Sequence, residues 1–158
     1  DEVLGCDFGF SQDNLAIVKV AKHNNSLYIH ELMYKKGMTN RDIAEFIKQQ
    51  KLDDMLMYCD SAEPKSIEEL RQMSVLAKGA VKGQGSINAG ISLLKEFDIY
   101  VSEESTNILK EQLSYIYDEL KDGTIINKPK ANQADHLLDS IRYCVYSRWR
   151  NRNDFFVV

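Results

Sequence analysis

Val3-Leu4-Gly5-Cys6-Asp7-Phe8 is an apolar run closed by Gly9, and it reads as a β-strand with one carboxylate near its end. Leu15-Ala16-Ile17-Val18-Lys19-Val20-Ala21 reads as a second strand. After the turn cluster His23-Asn24-Asn25-Ser26, Leu27 to Tyr34 alternates apolar and polar residues as a third. Three strands in quick succession predict an antiparallel meander. Downstream, strands alternate with helices. Thr39 is an N-cap for a helix reaching about Gln50, and Met55 to Cys59 is a short strand ending at Asp60. Pro64 begins a helix that runs through Arg71, and Ser74 to Ala77 reads as another short strand. Ser86 is expected to cap a helix carrying Ile87, Ile91, Leu93 and Leu94, and Ile99-Tyr100-Val101 is a strand. Ser105 or Thr106 opens a helix to about Tyr115, Asp122-Gly123 centres a hairpin within Tyr117 to Lys128, and the last helix spans about Gln133 to Arg150. A meander followed by alternating elements predicts an α/β fold. Its central mixed β-sheet joins the antiparallel N-terminal meander to parallel strands, with helices on its faces.

At 158 residues and 44% hydrophobic content, the chain is long enough for one domain with a substantial core. Charged residues make up 28%, with 2 prolines and 8 glycines, a composition that argues against disorder. No apolar stretch approaches the ~20 residues of a membrane span, so no membrane partner is expected. The chain enters its first strand from Asp1-Glu2 with no initiating Met, so residues 1–158 are expected to be one domain taken from a longer protein. Cys6, Cys59 and Cys144 are odd in number and form no CxxC pair, which reads as buried thiols in a reducing compartment. The formal net charge of −4 is unusual for a nucleic-acid binder, whose phosphate contacts come from Lys and Arg. Either the acids are gathered in a metal site whose ions reverse the local field, or nucleic acid is not the partner.

Cys6-Asp7 and Cys59-Asp60 share a pattern. Successive strand side chains face opposite sides, so each thiol would enter the core while its aspartate points the other way. If the two strands are neighbours, both carboxylates emerge at one edge of the sheet. The plain alternative is that each aspartate only ends a strand as a turn former.

A third group comes from the last helix. At ~100° per residue, Ala134, Leu137, Leu138, Ile141 and Val145 share one face. Asp135, Asp139, Arg142 and Tyr146 form a second stripe, which can equally be an exposed polar face with Asp139 paired to Arg142. Asn132 as N-cap would put Asp135 at the third helical position, where a carboxylate favours the helix start without any chemistry. That leaves Asp139 without a structural task. His136, beside both acids, can be an ordinary imidazole, can bind an ion, or can orient a water. Lys82-Gly83-Gln84-Gly85-Ser86 lacks the Gly-Lys-Ser/Thr of a P-loop. Its backbone amides at Ser86 and the charge of Lys82 can still meet a nucleic-acid phosphate, although a tight turn is the simpler role.

Four motifs in this order resemble one family: Gly5-Cys6-Asp7-Phe8-Gly9-Phe10, Cys59-Asp60-Ser61-Ala62-Glu63-Pro64, Lys82-Gly83-Gln84-Gly85-Ser86-Ile87 with Gly90-Ile91, and Asp135-His136 with Asp139, Arg142 and Tyr143. The chain is similar, from about Val3 to Tyr146, to the C-terminal nuclease domain of tailed-phage terminase large subunits. The resemblance implies an RNase H-like fold and an endonuclease that cuts concatemeric double-stranded viral DNA during genome packaging. It implies two Mg²⁺ or Mn²⁺ ions held by Asp7, Asp60 and Asp139, with two-metal phosphodiester hydrolysis. His136, Asp135 and Asp13 become accessory residues, and Lys82 and Ser86, from the reading of their loop, are the expected DNA contacts. Implied partners are double-stranded DNA, an N-terminal packaging ATPase domain of the same full-length chain, the portal and the terminase small subunit. The implied setting is the host cell cytoplasm, outside the mature virion. Three alternatives stand beside this reading: another RNase H-like nuclease such as a resolvase or transposase core, a non-catalytic module docking on portal or small subunit, and a domain whose acids only form turns and caps.

Overall fold

A computed structural model describes residues 1–9 and 13–150; Phe10, which closes the first motif, lies outside the described residues. The meander is present. Strands β1 (Glu2–Asp7), β2 (Leu15–His23) and β3 (Ser26–Lys35) pair antiparallel in succession. Helix α1 (Asn40–Gln49) follows, opened by a capping box in which Thr39 and Asp42 satisfy each other's amides. Next come β4 (Met57–Cys59), α2 (Pro64–Gln72), β5 (Ala77–Gly79), α3 (Ser86–Leu94), β6 (Asp98–Val101) and α4 (Thr106–Ser114). A hairpin of β7 (Tyr117–Glu119) and β8 (Ile125–Pro129) turns at Gly123 (φ 87°), and α5 (His136–Trp149) closes the described chain.

The main sheet has the order β5-β4-β1-β2-β3-β6, with β4 parallel to both β1 and β5, and β6 parallel to β3. This is the mixed α/β sheet the sequence predicts. Its side chains alternate between two cores. Leu4, Cys6 and Phe8 of β1 and its end join Ile17, Met57 and Cys59 against α1 and α2. Val3 of the same strand joins Val18, Val20 and Tyr58 against α3, α4 and α5. All three cysteines are free and buried, as expected. Among the described residues no helix is long and apolar enough to cross a membrane.

Several boundaries differ from the sequence reading, each for a local reason. The strand expected at Ser74 to Ala77 lies instead at Ala77–Gly79. Ser74 is still in the turn that ends α2, with φ 64° and its amide on the Arg71 carbonyl. The strand expected from Met55 begins at Met57, because Met55 closes a turn onto the Leu52 carbonyl. Helix α3 is preceded by Gly85 at φ 76°, so Ser86 is its first helical residue and not its cap; its hydroxyl accepts the Gly83 amide at 3.2 Å. Asn132, expected as the N-cap of α5, has φ 58° and lies before the helix, and Asp135 takes the cap position.

Candidate active site

The site forms where β1, β4 and α5 meet. Cys6 pairs with Cys59 across the parallel β1–β4 ladder, and the Asp60 amide donates to the Cys6 carbonyl at 3.0 Å. The next residue on each strand is an aspartate. Because the thiols face α1 and α2, Asp7 and Asp60 lie side by side on the α5 face. Helix α5 reaches this face closely because β1 carries Gly5 there: a Cβ on Gly5 would collide with the Ser140 carbonyl. The Ser140 hydroxyl fixes the contact further by donating to the Ala16 carbonyl at 3.0 Å. With the helix so placed, His136 and Asp139 on its first turn reach the strand ends.

Each acid has a cationic neighbour. Asp7, 9% exposed, lies 3.1 Å from His136 Nδ1. Asp60 Oδ1 accepts from Lys82 Nζ at 2.5 Å, and Asp139 Oδ1 accepts from Arg142 at 2.7 and 3.2 Å. The Tyr143 hydroxyl joins two of the acids, at 3.4 Å from Asp60 Oδ2 and 3.4 Å from Asp139 Oδ2. Lys82 and Arg142 flank the ring of Tyr143, 4.8 and 4.9 Å from its centroid. Of the stripe that could also be an exposed polar face, Arg142 is covered, at only 4% exposed, while Asp135, Asp139 and Tyr146 are half-buried. Helix α3 packs over Arg142 so closely that a Cβ on Gly90 would meet its side chain at 2.6 Å.

The electrostatics are those of crowded acids. Burial raises the Asp7 carboxyl above its usual range, and the charges of Asp139 and Asp60 push the same way while His136 pulls it back. The hydrogen bond to Asp7 raises His136 to about 8 against the opposing cost of burial, and the charges of Asp13 and Glu111 add to it. His136 is therefore protonated at neutral pH. Asp135 is half-buried and raised to about 6, first by burial and then by Asp139. It makes no side-chain cap bond, so the helix-capping task read for it from the sequence is not what holds it there. Asp13 is exposed on the loop beyond β1. A cleft of about 450 Å³ lined by Lys82, Ser86, Lys128, Arg142 and Tyr143 opens onto Asp139.

Among the described residues no three His, Cys, Asp or Glu side chains are grouped closely enough to hold an ion. Each of the three carboxylates instead has a cationic partner: Lys82 for Asp60, His136 for Asp7 and Arg142 for Asp139. The donor set nevertheless suits a hard divalent cation. It consists of carboxylate oxygens on three elements, two of them bridged by one hydroxyl, and Asp7 senses the charge of the other two. Tyr143 stands in the sequence motif without a role, and its bridging of two acids could not be read from one chain. Glu111, which meets the first amides of α5, carries no local signal because its partners are 26 and 27 residues away.

The chain is similar to several known proteins. A family model described as Terminase RNAseH like domain matches residues 7–147. The PBSX phage terminase large subunit of Bacillus subtilis (strain 168) is 32% identical over 144 residues, which is 89% of this chain and 33% of that protein. The terminase large subunit of Bacillus phage SPP1 is 30% identical over 146 residues, 88% of this chain and 34% of that protein. The chain thus spans about a third of the length of these relatives. Among solved structures, the large terminase nuclease domain of bacteriophage SPP1 with bound Mn superimposes with a TM-score of 0.81 at 26% identity, covering 94% of this chain and 86% of that one. The large terminase of a thermophilic bacteriophage gives a TM-score of 0.75 at 22% identity over 94% of this chain and 40% of that one, a likeness of fold.

Proposed function

From the premise that the chain belongs to the terminase RNase H-like domain family, we propose that it is a divalent-metal-dependent endonuclease. It would cut concatemeric double-stranded viral DNA during genome packaging. The observation that carries this reading is the convergence of Asp7 and Asp60 from neighbouring parallel strands with Asp139 from α5. Three carboxylates meeting without metal repel one another, and the raised Asp7 carries part of that repulsion on top of its burial. The Mn bound to the SPP1 nuclease domain supports Mg²⁺ or Mn²⁺ as the ion.

In this account Asp7, Asp60 and Asp139 hold two ions, which when bound supply Lewis acidity at the scissile phosphate. The chain's own residues do the rest. Asp7 holds His136 through Nδ1, and the protonated imidazole beside the acids would orient a water by donating to it from its other ring nitrogen. Lys82, paired with Asp60 in this structure, would serve as a phosphate contact. Asp135 is a half-buried accessory acid, and Asp13 holds charge at the rim. Ser86 fixes the loop that bears Lys82 through its bond to Gly83. The net charge of −4 implies weak intrinsic DNA affinity, with an ATPase domain elsewhere in a longer chain, the portal and the small subunit keeping DNA in place. The fraction of the relatives' length that this chain spans supports such a further domain. The reaction would take place in the host cell cytoplasm.

The test is nicking of supercoiled plasmid in EDTA, Mg²⁺ or Mn²⁺ by wild type, Asp7→Ala and Asp139→Ala. Cutting that requires metal and is lost in both variants is expected. A folded wild type that cuts under no metal would overturn the reading and favour a non-catalytic docking module.

A further inference from the structure

The start of α5 is held from outside the helix. A helix leaves its first amides without internal acceptors, and Asp135 at the cap position offers no side-chain bond. Glu111 of α4 supplies the acceptor. Its Oε2 takes the Leu137 amide at 2.9 Å and the Leu138 amide at 3.1 Å. Glu111 is 3% exposed, and burying a carboxylate is costly unless specific donors meet it. The α5 amides are those donors at Oε2, and the positive end of the helix dipole favours the charge.

The same device recurs one step back. Helix α4 is preceded by Ser105, which likewise makes no cap bond to its own helix. Its hydroxyl instead accepts the Glu31 amide at 2.8 Å. The α4 amides of Asn107 and Ile108 go to Glu31 Oε2 of β3 at 3.1 and 3.3 Å, and the Asn107 side chain donates to Oε1 at 2.6 Å. A strand carboxylate therefore caps α4, and an α4 carboxylate caps α5.

We propose that Glu111 is a positioning residue for the nuclease, and that Glu31 sets it in place, so that this relay of caps from the central sheet fixes His136 and Asp139 over the strand acids. The two amides that Glu111 holds lie between those residues in sequence. Asp7 and His136 meet at 3.1 Å, and Asp139 begins the helical ladder by donating to the Asp135 carbonyl at 2.7 Å. A first turn freed to fray would move both side chains by more than the roughly 0.5 Å that a preorganised site tolerates. The inference rests on the nuclease reading, because it concerns the acids of that site.

The experiment compares wild type, Glu111→Ala, Glu111→Gln and Glu31→Ala, with Leu70→Ala as a core-destabilised control on the opposite face of the sheet. Two quantities are measured well below each melting temperature. One is hydrogen exchange at the Leu137 and Leu138 amides, and the other is kcat and KM for plasmid nicking in Mn²⁺. Glu111→Ala is expected to speed exchange at both amides and lower kcat about tenfold or more, with KM for DNA within about twofold. Glu111→Gln keeps an acceptor oxygen and should recover most of the lost kcat. Glu31→Ala, one helix further away, should show a smaller loss in the same direction, and it carries the test if Glu111→Ala does not fold. Leu70→Ala should keep wild-type kcat. Wild-type kcat in folded Glu111→Ala, no recovery in Glu111→Gln, or an equal loss in Leu70→Ala would overturn the proposal. A wild type that cuts nothing would instead remove the nuclease reading, while exchange at Leu137 and Leu138 would still report the cap.

Discussion

Cys6 and Cys59 stand opposite one another on adjacent parallel strands, and the residue after each is an aspartate. This register brings the two strand acids together. The thiols fill the core against α1 and α2, and Asp7 and Asp60 are thereby sent to the α5 face. A slip of one residue in either strand would send one carboxylate into the apolar core and one thiol into the site. The position of the acids is thus enforced by the burial of their neighbours.

Gly5 sets how closely α5 can approach. Gly5→Ala would press a methyl group into the Ser140 carbonyl. Overpacking of this kind costs about 1–3 kcal/mol, measurable by urea denaturation. Because α5 must retreat to relieve the clash, Mn²⁺ affinity should fall together with stability. A Gly5→Ala protein with unchanged stability and unchanged Mn²⁺ binding would show that the close approach is not needed.

Lys82 holds Asp60 where a divalent ion would compete for the same carboxylate. Lys82→Gln should tighten Mn²⁺ binding in calorimetry by about fivefold, equivalent to the ~1 kcal/mol of a partly exposed ion pair. The same variant should bind DNA more weakly, because a phosphate contact is lost. Lys128 lines the same cleft and serves as the charge control. Equal tightening in Lys128→Gln would assign the effect to the general field and not to the Asp60 pair.

His136 gives the metal-free protein a pH dependence. Its folded value, raised to about 8 by Asp7, lies above the ordinary imidazole value of about 6.5. The protonated pair therefore contributes its full stability below about 6.5, and the contribution is lost as pH rises through about 8. In EDTA the melting temperature should fall across that interval, and His136→Asn should remove this part of the decline. A wild-type melting temperature that is flat or rises across the same interval would contradict the pairing.

The meander, the strand ends and the α5 motif were all legible because each is a local pattern. An apolar run marked β2, alternation marked β3, and a carboxylate closing an apolar run marked Asp7 and Asp60. Asp139 stood out because its helix offered it no structural task. What the sequence could not give were contacts between distant segments. The burial of Arg142 depends on α3 packing across it, which takes this one residue of an apparently solvated stripe into the interior. The start of α5 was misplaced for the same reason. The helix is capped by Glu111, so no local Asn or Asp cap was required, and Asn132 took a turn conformation instead. The pairing of each acid with Lys82, Arg142 or His136 also arises only when three elements meet.

The central claim is that Asp7, Asp60 and Asp139 together hold metal. Anomalous diffraction from crystals of the wild-type protein soaked in Mn²⁺ tests it most directly. The account predicts two peaks among these three carboxylates, roughly 3.5–4 Å apart, with the Lys82–Asp60 pair opened. Mn²⁺ peaks elsewhere on the protein with none among these acids, in crystals of protein that cuts DNA in Mn²⁺, would contradict it.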